Sequence, residues 1–542
     1  MFRPVLFLGI ALLLGAPAHA QHAPDEIDEL FSWVTPGMPG CAVAVSRNGE
    51  VLVNRAYGLA NLETGEPIGP STMFDIGSVQ KQFSAAAALL LVEEGRLSLS
   101  ADIHEYLPEL PDYGRRITLD HLMTHTSGIR DWLALMNFNQ GDEDALTLIL
   151  RQRGLNFAPG ERWTYSNSNF ELVKEIVARV SGMSFADFAR RRLFEPLGMA
   201  NTMYAADITA VETGAVAYEP EGDAWRPAML LGNERGGGAV LSTVSELLIW
   251  NEALTNVRLG TFVTGALQEP ARLSNGRVLT YARGLFVEDT PYGRAVWHSG
   301  SARAFGALLS RLPDQALSVA MVCNAGEAVD RNMEGNSIAE LFLPEALVRE
   351  FEAADAAVPV TVKVDLTGRA GLFFSEATGD ALRLVVQNGT LRVAGGAVLV
   401  AVAEDRFRNP RASLSFMSGD ELELRFVSSD QFELRSMEGT VTRYRRAQPY
   451  APTAAELQAL AGRYTSDDLG AAFDIAPGDN AVVITLNSGA QTIPFAPVHP
   501  DIFQRGPLTV RFLRDDTGRV TGLDFSTPVL RNVRFARPES DM

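Results

Sequence analysis

The chain has 542 residues, a formal charge of −19 at pH 7 and an isoelectric point near 4.9. This acidic balance, without any block of basic residues, argues against a nucleic-acid-binding function. At this length, an apolar content typical of globular proteins indicates more than one domain.

The N-terminus has the three parts of a secretory signal. A single basic residue, Arg3, precedes an apolar run from Val5 to Leu14, and a small-x-small cleavage site ends at Ala20. The run is too short to span a membrane, and no later segment has the required apolar length. We therefore predict that residues 1–20 are a cleaved signal peptide and that the mature protein is periplasmic or secreted.

The first strand pattern contains one of the two cysteines. Two apolar runs joined by an Asn48-Gly49 turn predict a β-hairpin that begins at Cys41. Cys323 also lies among β-like apolar residues. In an oxidising compartment the two cysteines would pair if their strands were adjacent, but free thiols are often buried, and we expect two unpaired core thiols.

Residues 74–83, with the sequence FDIGSVQKQF, precede an alanine- and leucine-rich run that predicts a buried helix. Ser78 falls in the first turn of this helix, and Lys81 lies three residues further along, over the same face. A hydroxyl, a base one turn away and the free N–H groups of a helix start are the parts of an acyl-transfer site. Ser-x-x-Lys alone is a weak motif, because a solvated helix face gives the same spacing.

Two later segments contain further polar groups. Residues 165–167 (Tyr-Ser-Asn) precede a predicted helix, and residues 298–301 (His-Ser-Gly-Ser) precede a predicted closing hairpin. Taken alone, Tyr165 also fits a half-buried aromatic residue, Asn167 a helix cap and His298 an ordinary strand histidine. These segments become informative only together with Ser-x-x-Lys.

Two patterns imitate ligand sites. His121 and His125 are four residues apart on a predicted helix, but they lack the glutamate of His-Glu-x-x-His and a third ligand. We expect both to be structural and predict no metal site. Gly236-Gly237-Gly238 does not follow a strand as a phosphate-binding loop does, so we interpret it as a turn and predict no cofactor.

Mixed helix and strand patterns fill residues 21–345, with a β-hairpin at each end. They predict an α/β sandwich in which the first and last strands meet in one antiparallel sheet. Beyond a boundary between residues 345 and 360, short alternating strands appear, and the order of several short stretches is repeated. We predict two all-β modules, each a small barrel or sandwich, at residues 360–449 and 450–542.

The three motifs Ser-x-x-Lys, Tyr-x-Asn and His-x-Gly occur in the order that marks the serine β-lactamase and penicillin-recognising hydrolases, and the chain resembles the class C and peptidase S12 branch of that family. The resemblance covers roughly residues 30–330. It implies an antiparallel sheet flanked by helices. With two β modules after the catalytic region, the layout is most similar to the D-aminopeptidase subgroup.

Each motif residue then has an expected role. Ser78 attacks an acyl carbon, and either Lys81 or Tyr165 takes its proton, since the two would titrate as a coupled unit. His298, if protonated, would add a positive field. Asn167 would bind Lys81 through its oxygen and a substrate amide through its nitrogen.

The resemblance implies that the backbone N–H groups of Ser78 and Ser301 bind the oxyanion, with Gly300 letting the strand approach closely. Histidine at position 298 differs from the family's usual lysine and is largely neutral at pH 7, so recognition of a substrate carboxylate and β-lactamase activity should be weak. In the D-aminopeptidase subgroup an acidic loop residue of the last module would meet the substrate amine. The candidates are Asp467, Asp468 and Asp501.

The sequence thus predicts an exported serine hydrolase that forms an acyl-enzyme on Ser78 and acts on peptides or amides with an N-terminal D-residue. An esterase with the same fold, or a non-catalytic binder of cell-wall fragments, is the alternative. The expected partners are small peptides, amides or esters, with no nucleic acid and no membrane span.

Overall fold

A computed structural model of the chain describes residues 23–538, apart from positions 140, 142, 206–210, 212–213, 229–237, 291, 327–330, 350–361, 363, 395, 397, 410–422, 436–440, 449 and 487–490. The predicted signal peptide, the first two residues of the triple-glycine segment and most of the predicted boundary between 345 and 360 lie outside the described residues.

The N-terminal region is built around an antiparallel sheet. In the described part of this region, the main sheet has six strands in the order β10-β11-β12-β13-β1-β2, and shorter strands form small sheets around it. The strands are β1 (Cys41–Arg47), β2 (Glu50–Tyr57), β3 (Leu59–Asn61), β4 (Glu66–Pro67), β5 (Phe74–Asp75), β6 (Met203–Ala205), β7 (Tyr218–Glu221), β8 (Ala224–Pro227), β9 (Ala239–Ser242), β10 (Phe286–Thr290), β11 (Gly293–Ala302), β12 (Phe305–Leu312) and β13 (Leu317–Cys323).

The first and last strands of the region pair with each other, as predicted. Both predicted hairpins are also present: β1 and β2 are joined at Asn48 and Gly49, which have positive φ values of 51° and 79°, and β12 and β13 are joined by a 3₁₀ turn at Pro313–Gln315. The prediction of two unpaired thiols is wrong, because Cys41 lies directly opposite Cys323 across the β1–β13 pair and forms a disulfide with it. Strand register, which a sequence pattern alone does not reveal, brings the two Cα atoms to 4.0 Å.

Helices cover both faces of this sheet, because alternate residues of a pleated strand point to opposite sides. Val43 of β1 belongs to one core with Ile27 and Ile338, whereas Ala44 belongs to the larger core with Phe83. The helices are α1 (Ala23–Leu30), α2 (Lys81–Glu93), α3 (Leu119–Met123), α4 (Trp132–Met136), α5 (Ala145–Arg151), α6 (Asn167–Ser181), α7 (Phe185–Ala189), α8 (Glu195–Leu197), α9 (Val244–Thr255), α10 (Thr261–Leu267) and α11 (Arg331–Glu340), with 3₁₀ turns at Gly77–Gln80 and Ile103–Glu105 and a π turn at Arg190–Phe194.

Two closed antiparallel barrels follow, which confirms the predicted pair of β modules, while the domain limits at 345, 360 and 450 stay predictions. Within the described residues each barrel has eight strands around its own aromatic-rich core. The first barrel consists of β14 (Gly371–Phe374), β15 (Ala381–Gln387), β16 (Thr390–Val393), β17 (Val398–Ala401), β18 (Arg406–Arg408), β19 (Glu423–Ser428), β20 (Gln431–Arg435) and β21 (Val441–Arg446). After α12 (Ala454–Leu460), the second consists of β22 (Gly462–Ser466), β23 (Ala471–Gly478), β24 (Ala481–Leu486), β25 (Gln491–His499), β26 (Ile502–Arg505), β27 (Leu508–Arg514), β28 (Val520–Ser526) and β29 (Val533–Ala536).

Candidate active site

The serine predicted to be the nucleophile lies at the start of a buried helix. Residues Gly77–Gln80 form a 3₁₀ turn, and α2 continues from Lys81. Ser78 and Lys81 are therefore one turn apart, and Lys81 Nζ donates a hydrogen bond to Ser78 Oγ at 3.0 Å. The first helical turn predicted for Ser78 is thus 3₁₀ in geometry, a common way for an α-helix to begin.

Two glycines allow β11 to approach the serine turn. A Cβ atom on Gly77 would lie 2.6 Å from the backbone nitrogen of Ser301, and Gly77 also has φ = +51°. A Cβ atom on Gly300 would lie 1.9 Å from the carbonyl oxygen of Ile76 and 3.2 Å from the nitrogen of Ser78. The backbone nitrogens of Ser78 and Ser301 consequently lie on adjoining segments, as an oxyanion-binding pair requires.

Asn167 connects the lysine to a buried carboxylate. Its Oδ1 accepts from Lys81 Nζ at 2.9 Å, and its Nδ2 donates to Asp131 Oδ2 at 2.9 Å. The backbone N–H of Asn167 donates to the same carboxylate oxygen, while Asp131 Oδ1 accepts from the N–H of Ala134 at 3.0 Å. Asp131 thus caps both α4 and α6. One of the two N–H groups of the Asn167 amide donates to Asp131, and Asn167 also lines the cavity, so its predicted contact with a substrate amide stays a prediction.

Burial makes Lys81 a usable base. Its side chain lies almost wholly out of water, and this desolvation lowers the pKa of the Lys81 amine to about 7. The negative charges of Asp131 and Glu171 oppose the fall, and the positive charge of Lys174 adds to it. A large fraction of the amine is therefore neutral near pH 7, with a lone pair that can accept the Ser78 proton.

The phenol of Tyr165 lies against the lysine and stays protonated. Lys81 Nζ lies 4.8 Å from the centroid of the Tyr165 ring. The ring centroids of Tyr165 and His125 are 4.2 Å apart. Burial raises the pKa of Tyr165 well above its ordinary value, although a hydrogen bond with Ser78 opposes the rise. The sequence left open whether Lys81 or Tyr165 takes the first proton. The lowered pKa of Lys81 and the raised pKa of Tyr165 favour Lys81.

His298 is buried and neutral. Its Nδ1 lies 2.6 Å from the carbonyl oxygen of Ser299, which can only accept, so Nδ1 carries the proton. Its Nε2 then accepts from the Tyr281 hydroxyl at 3.2 Å. Burial, with a smaller effect from the positive charge of Lys81, lowers the pKa of His298 to about 3. The imidazole therefore adds no positive charge near Ser78, and its contacts hold β11 against the aromatic residues behind the site.

The two histidines that imitate a metal pair make structural contacts. His121 Nδ1 accepts from the backbone N–H of Thr118 at 3.2 Å, which completes the cap of α3. His125 is fully buried, and its Nδ1 accepts from the backbone N–H of Ser166 at 3.2 Å. Burial lowers the pKa of His125 well below its ordinary value, so it is a neutral support behind Tyr165.

A cavity of about 290 Å³ opens beside these groups. In its wall Asp75 Oδ1 accepts from the backbone N–H of Gly77 at 2.8 Å, and burial raises the pKa of the Asp75 carboxyl to about 7. Lys174 and Glu171, which also line the cavity, form an ion pair at 2.9 Å. Of the predicted site residues, those in the lining are Ser78, Lys81, Asn167 and Ser301, while Tyr165 and His298 are buried next to them.

Sequence reasoning missed Asp131, Asp75 and Tyr281. Asp131 carried a readable signal, because an aspartate directly before an apolar helical run is typical of a helix N-cap. Asp75 lies three residues before Ser78 inside the motif that we singled out, but its cavity position follows only from the fold. Nothing in the sequence indicated that Tyr281 contacts His298.

Of the residues that the structure describes, no three His, Cys, Asp or Glu side chains are close enough together to hold a metal ion. None of the described helices has the length and apolar character needed to cross a membrane. The groups around Ser78 are side chains and backbone amides of the kinds used in acyl transfer.

Similarity to known proteins extends over most of the chain. The sequence model of the Beta-lactamase family matches residues 23–341, more than half of the chain. The D-aminopeptidase of Gluconobacter oxydans (strain 621H) is 31% identical over 299 residues, which cover 53% of this chain and 56% of that protein, so this match spans about half of the relative's length. The D-aminopeptidase of Brucella canis is 26% identical over 531 residues, which cover 92% of this chain and 96% of that protein.

Among solved structures, the octameric penicillin-binding protein homologue from Pyrococcus abyssi matches with a TM-score of 0.54 at 20% sequence identity. The match covers 78% of this chain and 98% of that chain. At this level of identity the likeness shows a shared fold.

Proposed function

The chain belongs to the Beta-lactamase family and is a serine hydrolase, and on that premise we propose that it removes D-amino acids from the free amino end of peptides or amides. The resemblance of its motifs to this family is confirmed by the match over residues 23–341. Both relatives named above are D-aminopeptidases, and the Brucella match, at 92% of the chain, is too long to be confined to the N-terminal region.

The observation that carries the catalytic part is the bond from Lys81 Nζ to Ser78 Oγ at 3.0 Å beside a cavity. Neutral Lys81 takes the Ser78 proton as Oγ adds to the carbonyl carbon, and the backbone N–H groups of Ser78 and Ser301 bind the oxyanion. The Lys81 ammonium then returns the proton to the leaving amine, and the acyl group remains on Ser78 as an ester. Water hydrolyses that ester by the same steps, with Lys81 again the base.

The substrate class rests on the charge of the cavity. A D-aminopeptidase substrate carries a protonated amine on the carbon next to the attacked carbonyl, so its site needs a nearby acceptor. Asp75 lines the cavity, and of its two carboxylate oxygens only Oδ1 is engaged by a described donor, the N–H of Gly77. We assign Asp75 to the amine, because binding a cation there lowers the pKa of the carboxyl and favours its charged form.

The acidic residues of the last module fit this role less well. Asp468 is paired with Arg130 at 2.8 Å, and Asp501 with Arg514 at 2.6 Å. Asp467 is exposed, and none of the three aspartates belongs to the cavity lining. Amine recognition in this proposal therefore lies within the N-terminal region.

The neutral His298 favours an aminopeptidase over a β-lactamase. Its pKa near 3 leaves the imidazole uncharged at neutral pH, so it does not attract a substrate carboxylate. Lys174, a second cation of the cavity wall, is paired with Glu171. Position 298 thus supplies no charge for the carboxylate that penicillins carry, and Arg303 is the remaining arginine of the cavity lining.

A substrate panel on wild type and Ser78→Ala tests the proposal. D-alanine p-nitroanilide should be cleaved far faster than its L-enantiomer, its N-acetyl derivative and a chromogenic cephalosporin, and Ser78→Ala should lose about 10⁴-fold or more in rate. Cleavage of p-nitrophenyl acetate without any aminoacyl anilide would replace the aminopeptidase by an esterase. Equal p-nitroaniline release by both proteins would indicate a binder of cell-wall fragments.

Export is part of the proposal. The predicted signal over residues 1–20 and the Cys41–Cys323 disulfide both suit an oxidising compartment outside the cytosol. N-terminal sequencing of the protein recovered from a periplasmic or culture fraction should begin at Gln21. A cytosolic protein that begins at Met1 would contradict it.

A further inference from the structure

Helix α4 lies between the cavity and the second barrel. Trp132 and Met136 line the cavity from one side of the helix. Leu135, on an adjoining face of the helix, is fully buried in the core of the second barrel, although it is more than three hundred residues away in sequence. Phe138, just after the helix, packs edge-on against Phe525 with ring centroids 5.0 Å apart. One wall of the site therefore rests on the barrel.

Arg130, two residues before the start of α4, is anchored in the same barrel. Arg130 has a side chain that is only 3% exposed, and its Nη1 donates to Asp468 Oδ2 at 2.8 Å. Its Nη2 donates to the carbonyl oxygens of Arg531 and Asn532 at 3.0 and 3.1 Å. Gln152 completes the cluster, because its Oε1 accepts from Arg130 at 3.1 Å and its Nε2 donates to the Asp468 carbonyl at 2.7 Å.

This anchor is one residue away from the carboxylate that orients the catalytic groups. Asp131 holds the side chain of Asn167, which in turn holds Lys81. The backbone on both sides of Asp131 is fixed to α6 through Ser168, whose Oγ donates to the Arg130 carbonyl at 2.6 Å and accepts from the N–H of Trp132 at 2.9 Å. A displacement of Arg130 would therefore move Asp131 relative to Asn167.

We propose that the second barrel positions the active site. Asp468 and Arg130 are the positioning residues, and they maintain the hydrogen bonds that connect Asp131, Asn167 and Lys81. The barrel acts through the 130–138 segment and needs no contact with substrate. The inference holds for any acyl substrate and does not depend on the preference for a D-amino acid.

The rate at which a fluorophosphonate labels Ser78 is a suitable readout, because it reports nucleophile activation without a substrate preference. The negative charge of Asp131 raises the pKa of Lys81. If Asp131 withdraws, that pKa falls, and the acidic limb of the labelling rate moves to lower pH while the rate on the plateau drops. If the barrel only adds stability, a variant that weakens its contact should lower the unfolding midpoint and leave the acidic limb of the labelling rate at its wild-type pH.

The test compares Asp468→Asn with Asp515→Asn in the full chain. Asp515 pairs with Arg519 at 3.1 Å in the turn between β27 and β28 of the same barrel, so the control removes an ion pair of the same chemistry whose residues make no described contact with Arg130. We expect Asp468→Asn to lower the labelling rate about tenfold, because small misplacements of catalytic groups have effects of this order or larger. The acidic limb of the labelling rate should also shift to lower pH in this variant, and Asp515→Asn should retain the wild-type rate and limb.

Phe138→Leu keeps the proposal testable if Asp468→Asn does not fold. Phe138 is only half-buried, so the variant loosens the contact with Phe525 without removing a charge. It should slow labelling by a smaller factor than Asp468→Asn and shift the acidic limb to lower pH as well. A folded Asp468→Asn or Phe138→Leu protein with wild-type rate and limb, or an equal loss in Asp515→Asn, would overturn the proposal.

Discussion

Lys81 Nζ lies 2.9 Å from Oδ1 of Asn167, a residue 86 positions further along the chain. This bond orients the amine toward Ser78 Oγ, and Asn167 is itself fixed by the buried Asp131. Because the lysine is desolvated, its amine is partly neutral near pH 7, and the geometry turns a normally cationic side chain into a general base.

The pH dependence of acylation should report the Lys81 amine. Its pKa near 7 means that the base is protonated, and inactive, below that pH. With p-nitrophenyl acetate, which has no amine to bind Asp75, we expect kcat/KM to rise through an acidic limb centred near pH 7, with about a tenfold loss for each further unit below it. Tyr165→Phe should retain this limb at a lower rate. A limb near the ordinary lysine pKa, or its disappearance in Tyr165→Phe, would contradict the assignment of Lys81.

Gly300→Ala should disable the oxyanion site. The added Cβ would lie 1.9 Å from the Ile76 carbonyl oxygen, so β11 must move away from the serine turn and carry the N–H of Ser301 with it. We expect kcat to fall by about 10²–10³-fold, the usual effect of losing one oxyanion donor. Gly265→Ala, on α10, is the matched control, because nothing lies within 4 Å of a Cβ there. Equal activity of both variants would mean that Ser301 does not bind the oxyanion.

Asp75→Asn should separate amine recognition from acyl transfer. The asparagine keeps the size of the side chain but cannot pair with a charged amine, so kcat/KM for D-alanine p-nitroanilide should fall by about 10–100-fold. Hydrolysis of p-nitrophenyl acetate, which has no amine, should change little. Asp467→Asn, at an exposed position, should leave both rates unchanged. A parallel loss on both substrates would assign Asp75 to the structure of the serine turn.

Removal of the disulfide should weaken the fold more than the chemistry. The bond closes a loop of 282 residues, and replacing Cys41 and Cys323 together by alanine should lower the free energy of unfolding by about 2–5 kcal/mol. Urea unfolding with and without reductant measures this effect, and reductant should lower the wild-type midpoint but not that of the double variant. Two reactive thiols in the denatured, unreduced protein would show that the pair is not bonded.

The sequence by itself determined the local parts of this protein. Ser78 and Lys81 are three residues apart, and helical geometry alone places them on one face. The Asn48-Gly49 turn and the alternating strands of both barrels are also local patterns, and so they predicted the hairpin and the all-β modules correctly. The order of three motifs was enough to identify the family.

Only the tertiary structure decided how distant segments meet. Strand register put Cys41 opposite Cys323, where the frequent burial of free thiols had favoured unpaired cysteines. Burial made His298 neutral and Lys81 partly neutral near pH 7, and the docking of the second barrel placed Arg130 on Asp468. Register, desolvation and domain contacts depend on residues far apart in sequence, and no local periodicity encodes them.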